Sequence, residues 1–175
     1  MNFLYHRVPK NMQGSILYPL NQLRNFHYGV YEEASKKYEG REFLMNVRIP
    51  TLDCLWNDVL HLIAVHPNTL KKAFEKANVP LRKLKWFNIN PLELDKKKTS
   101  VYLYRDVPRF DRYKKEGFTE FDTSDLEKYS EISQKTIEYY KKEFHENRKR
   151  PFLFHLVPHI LYRGEINVEN CEIIK

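Results

Sequence analysis

Seven histidines are the residues with most to offer chemistry near neutral pH, because an imidazole exchanges its proton there. His61 and His66 lie five apart, and His155 and His159 four apart. In a strand, four residues put two side chains on one face but about 13 Å apart at ~3.3 Å per residue, too far to close on one metal ion. No cysteine or carboxylate stands where it would complete a ligand set, so these are read as core or pocket histidines and no metal is expected. Asp53 and Asp58 flank Trp56, and Asp106 and Asp111 flank Arg109. A glycosidase-like acid and base must be held ~5–10 Å apart in a cleft, and these four read as turn and cap residues. Cys54 precedes an apolar run with no cationic neighbour, the setting of an inert thiol. Ser15 and Ser100 lack a nucleophile elbow.

Charge points to the partner. Thirty Lys and Arg stand against 23 Asp and Glu, a net charge of +7, which favours nucleic acid, a nucleotide or an acidic surface. Most basic runs are short and scattered, as on solvated faces. Arg148, Lys149 and Arg150 are concentrated enough to touch a phosphate backbone, and Phe152 and Phe154 beside them could stack bases. Tyr102, Tyr104 and Arg105 offer the same pairing of ring and cation. Five glycines leave little room for a glycine-rich phosphate loop. Cys54 and Cys171 are the two cysteines, neither a disulfide scaffold nor a cysteine-rich zinc site. The opening residues lack the plan of a signal peptide, and no run approaches the ~18 apolar residues of a membrane span. The expectation is a cytoplasmic protein with no membrane partner.

The elements that must position these residues follow from periodicity and breakers. Phe3 to Val8 is β-rich and ended by Pro9. A short helix follows Pro19, and Tyr31, Ala34 and Tyr38 share one face of a second helix closed by Gly40. Phe43 to Ile49 alternates as a strand would. Val59 to Val65 is nearly all apolar, a strand buried on both faces, and Pro67 opens a helix with Leu70, Ala73, Phe74 and Ala77 inside. Leu84 to Ile89 and Val101 to Arg105 read as strands, with Val107 to Phe121 irregular. Ser124 and Glu127 form a capping box for a long helix. Phe152 to Val157, His159 to Arg163 and Cys171 to Ile174 close the chain as strands. With no repeat or linker, residues 1–175 are read as one α+β domain.

Taken in order, several of these stretches carry a family likeness: Tyr5-His6-Arg7, Ile16 to Leu20, Val59-Leu60-His61-Leu62 before a helix, Val101 to Arg105, and Pro158 to Ile166. They resemble small members of the ADP-ribosyltransferase-like fold, including RNA 2′-phosphotransferases and compact families. The opening and the stretch from Leu52 to His61 are also similar to a group of uncharacterised bacterial proteins, a likeness that implies no function. The first resemblance implies a mixed, split or barrel-like sheet with flanking helices, and NAD in a cleft between the sheet halves. It implies that His6 anchors the adenosine ribose, that Glu165 is the late acid, and that His61 acts beside it. Arg7, Arg105 or Arg163 would neutralise pyrophosphate as a bidentate fork, and Tyr18, Tyr102, Tyr104 and Tyr162 are candidates for the aromatic clamp.

The function this implies is binding of NAD or an ADP-ribose-type nucleotide, with ADP-ribosyl transfer or related phosphotransfer to a nucleic-acid or protein acceptor. The alternative is a non-catalytic basic module that binds RNA or a partner protein on an aromatic sheet face. An enzyme should gather His6, His61 and an arginine into one concave pocket, whereas a binding module should leave them dispersed.

Overall fold

Prolines and left-handed turns cut this chain into short pieces, and in the computed structural model, which describes residues 2–175, every described strand has four residues or fewer. β1 (Leu4–Arg7) and β2 (Ile16–Leu17) lead into α1 (Leu20–Phe26), which starts after Pro19, and α2 (Tyr28–Ser35). β3 (Arg48–Ile49), β4 (Cys54–Leu55) and β5 (Leu60–Leu62) follow. α3 (Pro67–Lys76) has proline at its first position, where a missing N–H leaves no bond unmade, and the His66 Nδ1 accepts from the Asn68 N–H at 3.1 Å. Asn78, at φ 55°, turns the chain out of that helix. β6 (Trp86–Ile89), β7 (Thr99–Tyr102) and β8 (Phe118–Glu120) precede α4 (Gln134–Lys141), and β9 (His159–Tyr162), β10 (Ile166–Asn167) and β11 (Ile173–Ile174) finish the chain.

The strands form an order β1-β6-β11 in one sheet and β5-β9-β7-β8 in another, with β10-β2 and β3-β4 as separate pairs. The two larger sheets touch through a single bridge, Tyr5 opposite Ile63. All of the described pairings are antiparallel, so the expected mixed sheet is corrected, and no barrel closes because β5 and β8 remain opposite edges of their sheet.

The core divides by sheet face. Leu60, Leu62, Val101 and Ile160 point to one side with Leu4, Phe87 and Ile89. Their neighbours along the same strands, Tyr102 and Leu161, point to the other with Tyr38, Trp56 and Phe118, as a two-residue period requires. A third cluster lies between α3 and α4, where Phe74 and Tyr140 meet with ring centres 4.2 Å apart. Tyr140, fully buried, donates its hydroxyl to the Leu153 carbonyl at 2.6 Å.

Three expected elements are different. Glu42–Asn46 is a 3-10 turn, leaving only Arg48–Ile49 of the expected strand, because Phe43 and Leu44 pack around a turn and do not alternate across a sheet. The capping box at Ser124 gives way to Asp122, whose carboxylate accepts from the Ser124 N–H at 2.8 Å and starts a 3-10 run, Thr123–Tyr129. The α-helix begins only at Gln134, where the Ser133 hydroxyl accepts from the Thr136 N–H at 3.2 Å. Phe152 to Val157 is a turn, with Leu156 left-handed at φ 55°, and Phe154 and Leu153 are used in packing against the α3–α4 cluster. β2, β4, β8 and β10 are unmarked by the sequence pattern. Among the described residues no helix is long and apolar enough to cross a membrane.

Candidate functional site

The register of the β5-β9-β7 ladder sets His61 opposite Leu161 and His159 opposite Tyr102. Residues one position apart face opposite ways and those two apart share a face, so His61, His159 and Tyr102 all project from one side. Their rings touch in a continuous patch. His61 and His159 lie 6.0 Å apart between centroids, His61 and Trp56 4.6 Å, Trp56 and Tyr102 5.1 Å, and Tyr102 and Tyr113 5.7 Å with planes only 4° apart. Tyr104 joins at the end of β7, left-handed at φ 46°, with its ring 6.2 Å from His159. A tyrosine held in that region is strained, and strained residues gather where a site is being shaped.

His6, on β1 opposite Phe87, lies within reach of the charges of Lys37 and His61. Its Nδ1 is buried and has no hydrogen-bond partner, an unmade bond that normally costs stability. Lys37, Tyr38 and Arg41 arrive from the turn after α2. Gly40, at φ 74°, folds that turn back, and the Arg41 guanidinium donates to the Lys37 carbonyl. Lys37 lies 5.1 Å over the Tyr38 ring.

His6, His61 and His159 are half-buried and Lys37 is exposed. Burial pushes His159 down to about 4, and burial with the charges of Lys37 and Arg7 puts His6 at about 4. His61 is lowered well below its ordinary value by burial, then by His159 and Lys37. All three imidazoles are therefore neutral at pH 7. Lys37 falls to about 8, through burial and then the charges of Arg41 and Arg7. No carboxylate figures among the charges acting on His6, His61 or Lys37. The ion pairs of the described residues lie elsewhere and involve neither Arg7, Lys37, Arg41 nor Arg112.

Such a cluster has a definite chemistry. Neutral imidazoles can accept a proton from a hydroxyl or hydrogen-bond to a ribose. Clustered cations suit phosphate oxygens, and the half-buried Tyr104 ring offers a face to a flat ligand. Among the described residues no group of three or more histidine, cysteine or carboxylate side chains is placed to hold a metal ion.

Of the residues singled out from sequence, His6, Arg7, His61 and Tyr104 come together here. Tyr18 does not: it stacks on Phe26 at 5.1 Å, beside α1. Arg105 donates to the Asp111 carbonyl at 2.9 Å and ties down its own loop. Arg163 donates to the Leu52 carbonyl at 3.1 Å, and Tyr162 packs against the core on the opposite face of β9. Glu165 is exposed in the turn between β9 and β10, beyond the end of β9 remote from His159. Trp56, Lys37, Arg41, Tyr113 and Arg112, whose guanidinium lies 5.4 Å over the Tyr104 ring, went unmarked. His159 was weighed only as half of a metal pair. The one available signal was type and not spacing, since Trp56 and the cations come from loops that carry no period.

Compared with protein-family models, curated proteins and solved structures, the chain matches none of them.

Proposed function

We propose that the cluster binds an NAD- or ADP-ribose-type nucleotide and transfers its ADP-ribosyl group, or carries out a related phosphotransfer, to an acceptor. The observation that carries this reading is the meeting of the His61 and His159 rings beside Tyr104, within reach of the charges of His6, Lys37 and Arg7. Lys37, Arg7 and Arg41 neutralise the pyrophosphate. The unpartnered His6 Nδ1 accepts a hydrogen bond from a ribose hydroxyl, which supplies the missing partner of a buried atom. The Tyr104 ring stacks on a flat base.

A bound NAD would supply a glycosidic bond whose cleavage releases neutral nicotinamide. His61 then serves as the base that takes the acceptor's proton. Its Nε2–H donates to the Trp56 carbonyl at 3.0 Å, which leaves Nδ1 with the free lone pair. Glu165 acts only if the ligand extends along β9 to its exposed turn, so the phosphate-centred branch of the chemistry asks less of the structure.

Calorimetric titration with NAD and ADP-ribose, followed by assay of released nicotinamide, tests the proposal. Binding with release supports transfer from NAD. Binding of ADP-ribose alone supports the phosphotransfer branch. Binding of neither sinks the reading and leaves a basic module that binds its partner without catalysis.

A further inference from the structure

The chain that borders the histidine cluster at Phe152 runs back into a second feature. After α4 a π-helical turn, Lys142–Glu146, delivers Arg148, Lys149 and Arg150 to the rim of an open groove of about 450 Å3. Leu81 and Arg82 form part of its wall, and Phe144 contributes an aromatic ring. Arg148 is left-handed at φ 53°, and the Lys149 N–H donates to the Glu143 carbonyl at 2.8 Å. The rim therefore has a set conformation. None of these four cations has an ion-pair partner among the described residues.

The groove and the cluster are joined by charge. Arg150 feels the charges of Arg82 and Arg7. Lys37 feels Arg41 and Arg7, and the Arg41 guanidinium lies 4.8 Å over the exposed Phe152 ring. Arg82, Arg150, Arg7, Lys37 and Arg41 are thus linked by charge from the groove to the histidines. Mutually repelling cations of this kind are stabilised by a polyanion.

Shape decides which polyanion. A lipid surface is met by convex apolar tips or an amphipathic helix face, and this feature is concave. A single nucleic-acid strand offers phosphates to the rim and flat bases to Phe144 and Phe152. We propose that the groove holds the backbone of a single-stranded nucleic acid and that the strand's end is presented to the histidines as acceptor. The acceptor role rests on the nucleotide reading of the cluster, whereas the docking of the strand does not.

The test is fluorescence anisotropy with a labelled single-stranded RNA of about 12 nucleotides, within the usual span of such sites, at several salt concentrations. Substituting Arg82→Ser, Arg148→Ser and Lys149→Ser together should weaken binding at least about tenfold and shrink the salt slope by roughly two to three. The charge-retaining set Arg82→Lys, Arg148→Lys and Lys149→Arg should bind within about threefold of the unaltered protein, which guards against simple misfolding. Equal affinity and slope for the serine variant would overturn the proposal, as would binding to phosphatidylserine vesicles in place of RNA. ADP-ribose titration of the same serine variant reads the cluster separately and should be unchanged. If even the unaltered protein binds RNA but no ADP-ribose, the strand docking stands and the nucleotide reading falls.

Discussion

His61 and His159 meet edge to face, 6.0 Å between ring centres with planes at 82°, and each spends its one ring N–H on a backbone carbonyl. His61 Nε2 donates to Trp56 at 3.0 Å and His159 Nδ1 to Val157 at 2.8 Å. A neutral imidazole has one donor and one acceptor, so both tautomers are assigned, and His61 Nδ1 and His159 Nε2 are left as acceptors. These are two lone pairs, from two strands, for which no protein donor is found among the described residues, and the buried His6 Nδ1 likewise lacks a partner.

The neutral histidines make the fold acid-sensitive. His6 and His159 stand at about 4 in the folded chain and near ~6.5 once unfolded. Between those values the unfolded chain binds more protons, so the contribution to stability is complete above ~6.5 and is lost as pH falls toward 4. The urea midpoint should drop between pH 7 and pH 5 with a slope of at most ~1.4 kcal/mol per pH unit for each imidazole, less where water still reaches the ring. The double variant His6→Gln, His159→Gln should flatten that dependence. Equal midpoints for the unaltered protein at the two pH values would contradict the burial described.

Lys37 predicts the opposite end of the pH scale. An anion bound beside it favours the ammonium and raises its value from about 8. Nucleotide affinity should then fall as pH rises through 8, with proton uptake on binding at pH 8.5 seen as a buffer-dependent calorimetric enthalpy. Lys37→Met should weaken ADP-ribose binding by about tenfold or more, as loss of a charge-assisted bond does, and should remove the proton uptake. Uptake that persists in the variant would place the titrating group elsewhere.

His6→Ala should abolish nucleotide binding while the circular dichroism spectrum stays that of the unaltered protein. The substitution removes a ring whose buried Nδ1 serves no internal bond, so stability has little to lose from that atom. Unchanged affinity for ADP-ribose would remove His6 from the site.

Tyr140→Phe keeps the ring against Phe74 and deletes only the hydroxyl that reaches the Leu153 carbonyl at 2.6 Å. A buried acceptor loses its donor, so stability should drop by about 1–2 kcal/mol. Amide exchange should quicken in the turn from 152 to 157, which that bond helps to hold. A variant as stable as the parent would show that Leu153 finds another donor.

Strong local patterns were legible in advance. β1 and β5 follow from β-rich and continuously apolar runs, and α3 from Pro67 with its buried stripe, because proline, period and burial act within a few residues. The long helix expected from Ser124 failed where an Asp two residues earlier offered a better cap. The aromatic run from Phe152 to Val157 failed where the rings were wanted by α3 and α4. The first is a competition between caps two residues apart, and only the second is decided by a neighbour in space.

For the site the division is sharper. The sequence by itself determined an α+β chain of strong positive charge, with His6 and His61 on strands, since residue type and period set those. Only the tertiary structure decided that His159 joins them, because its place depends on β9 pairing with both β5 and β7. Only the tertiary structure decided, too, that Trp56, Lys37 and Arg41 stand at the same site while Tyr18, Arg105, Tyr162 and Arg163 do not. Loop residues follow no period, and a side chain on the opposite face of one strand points into a different core.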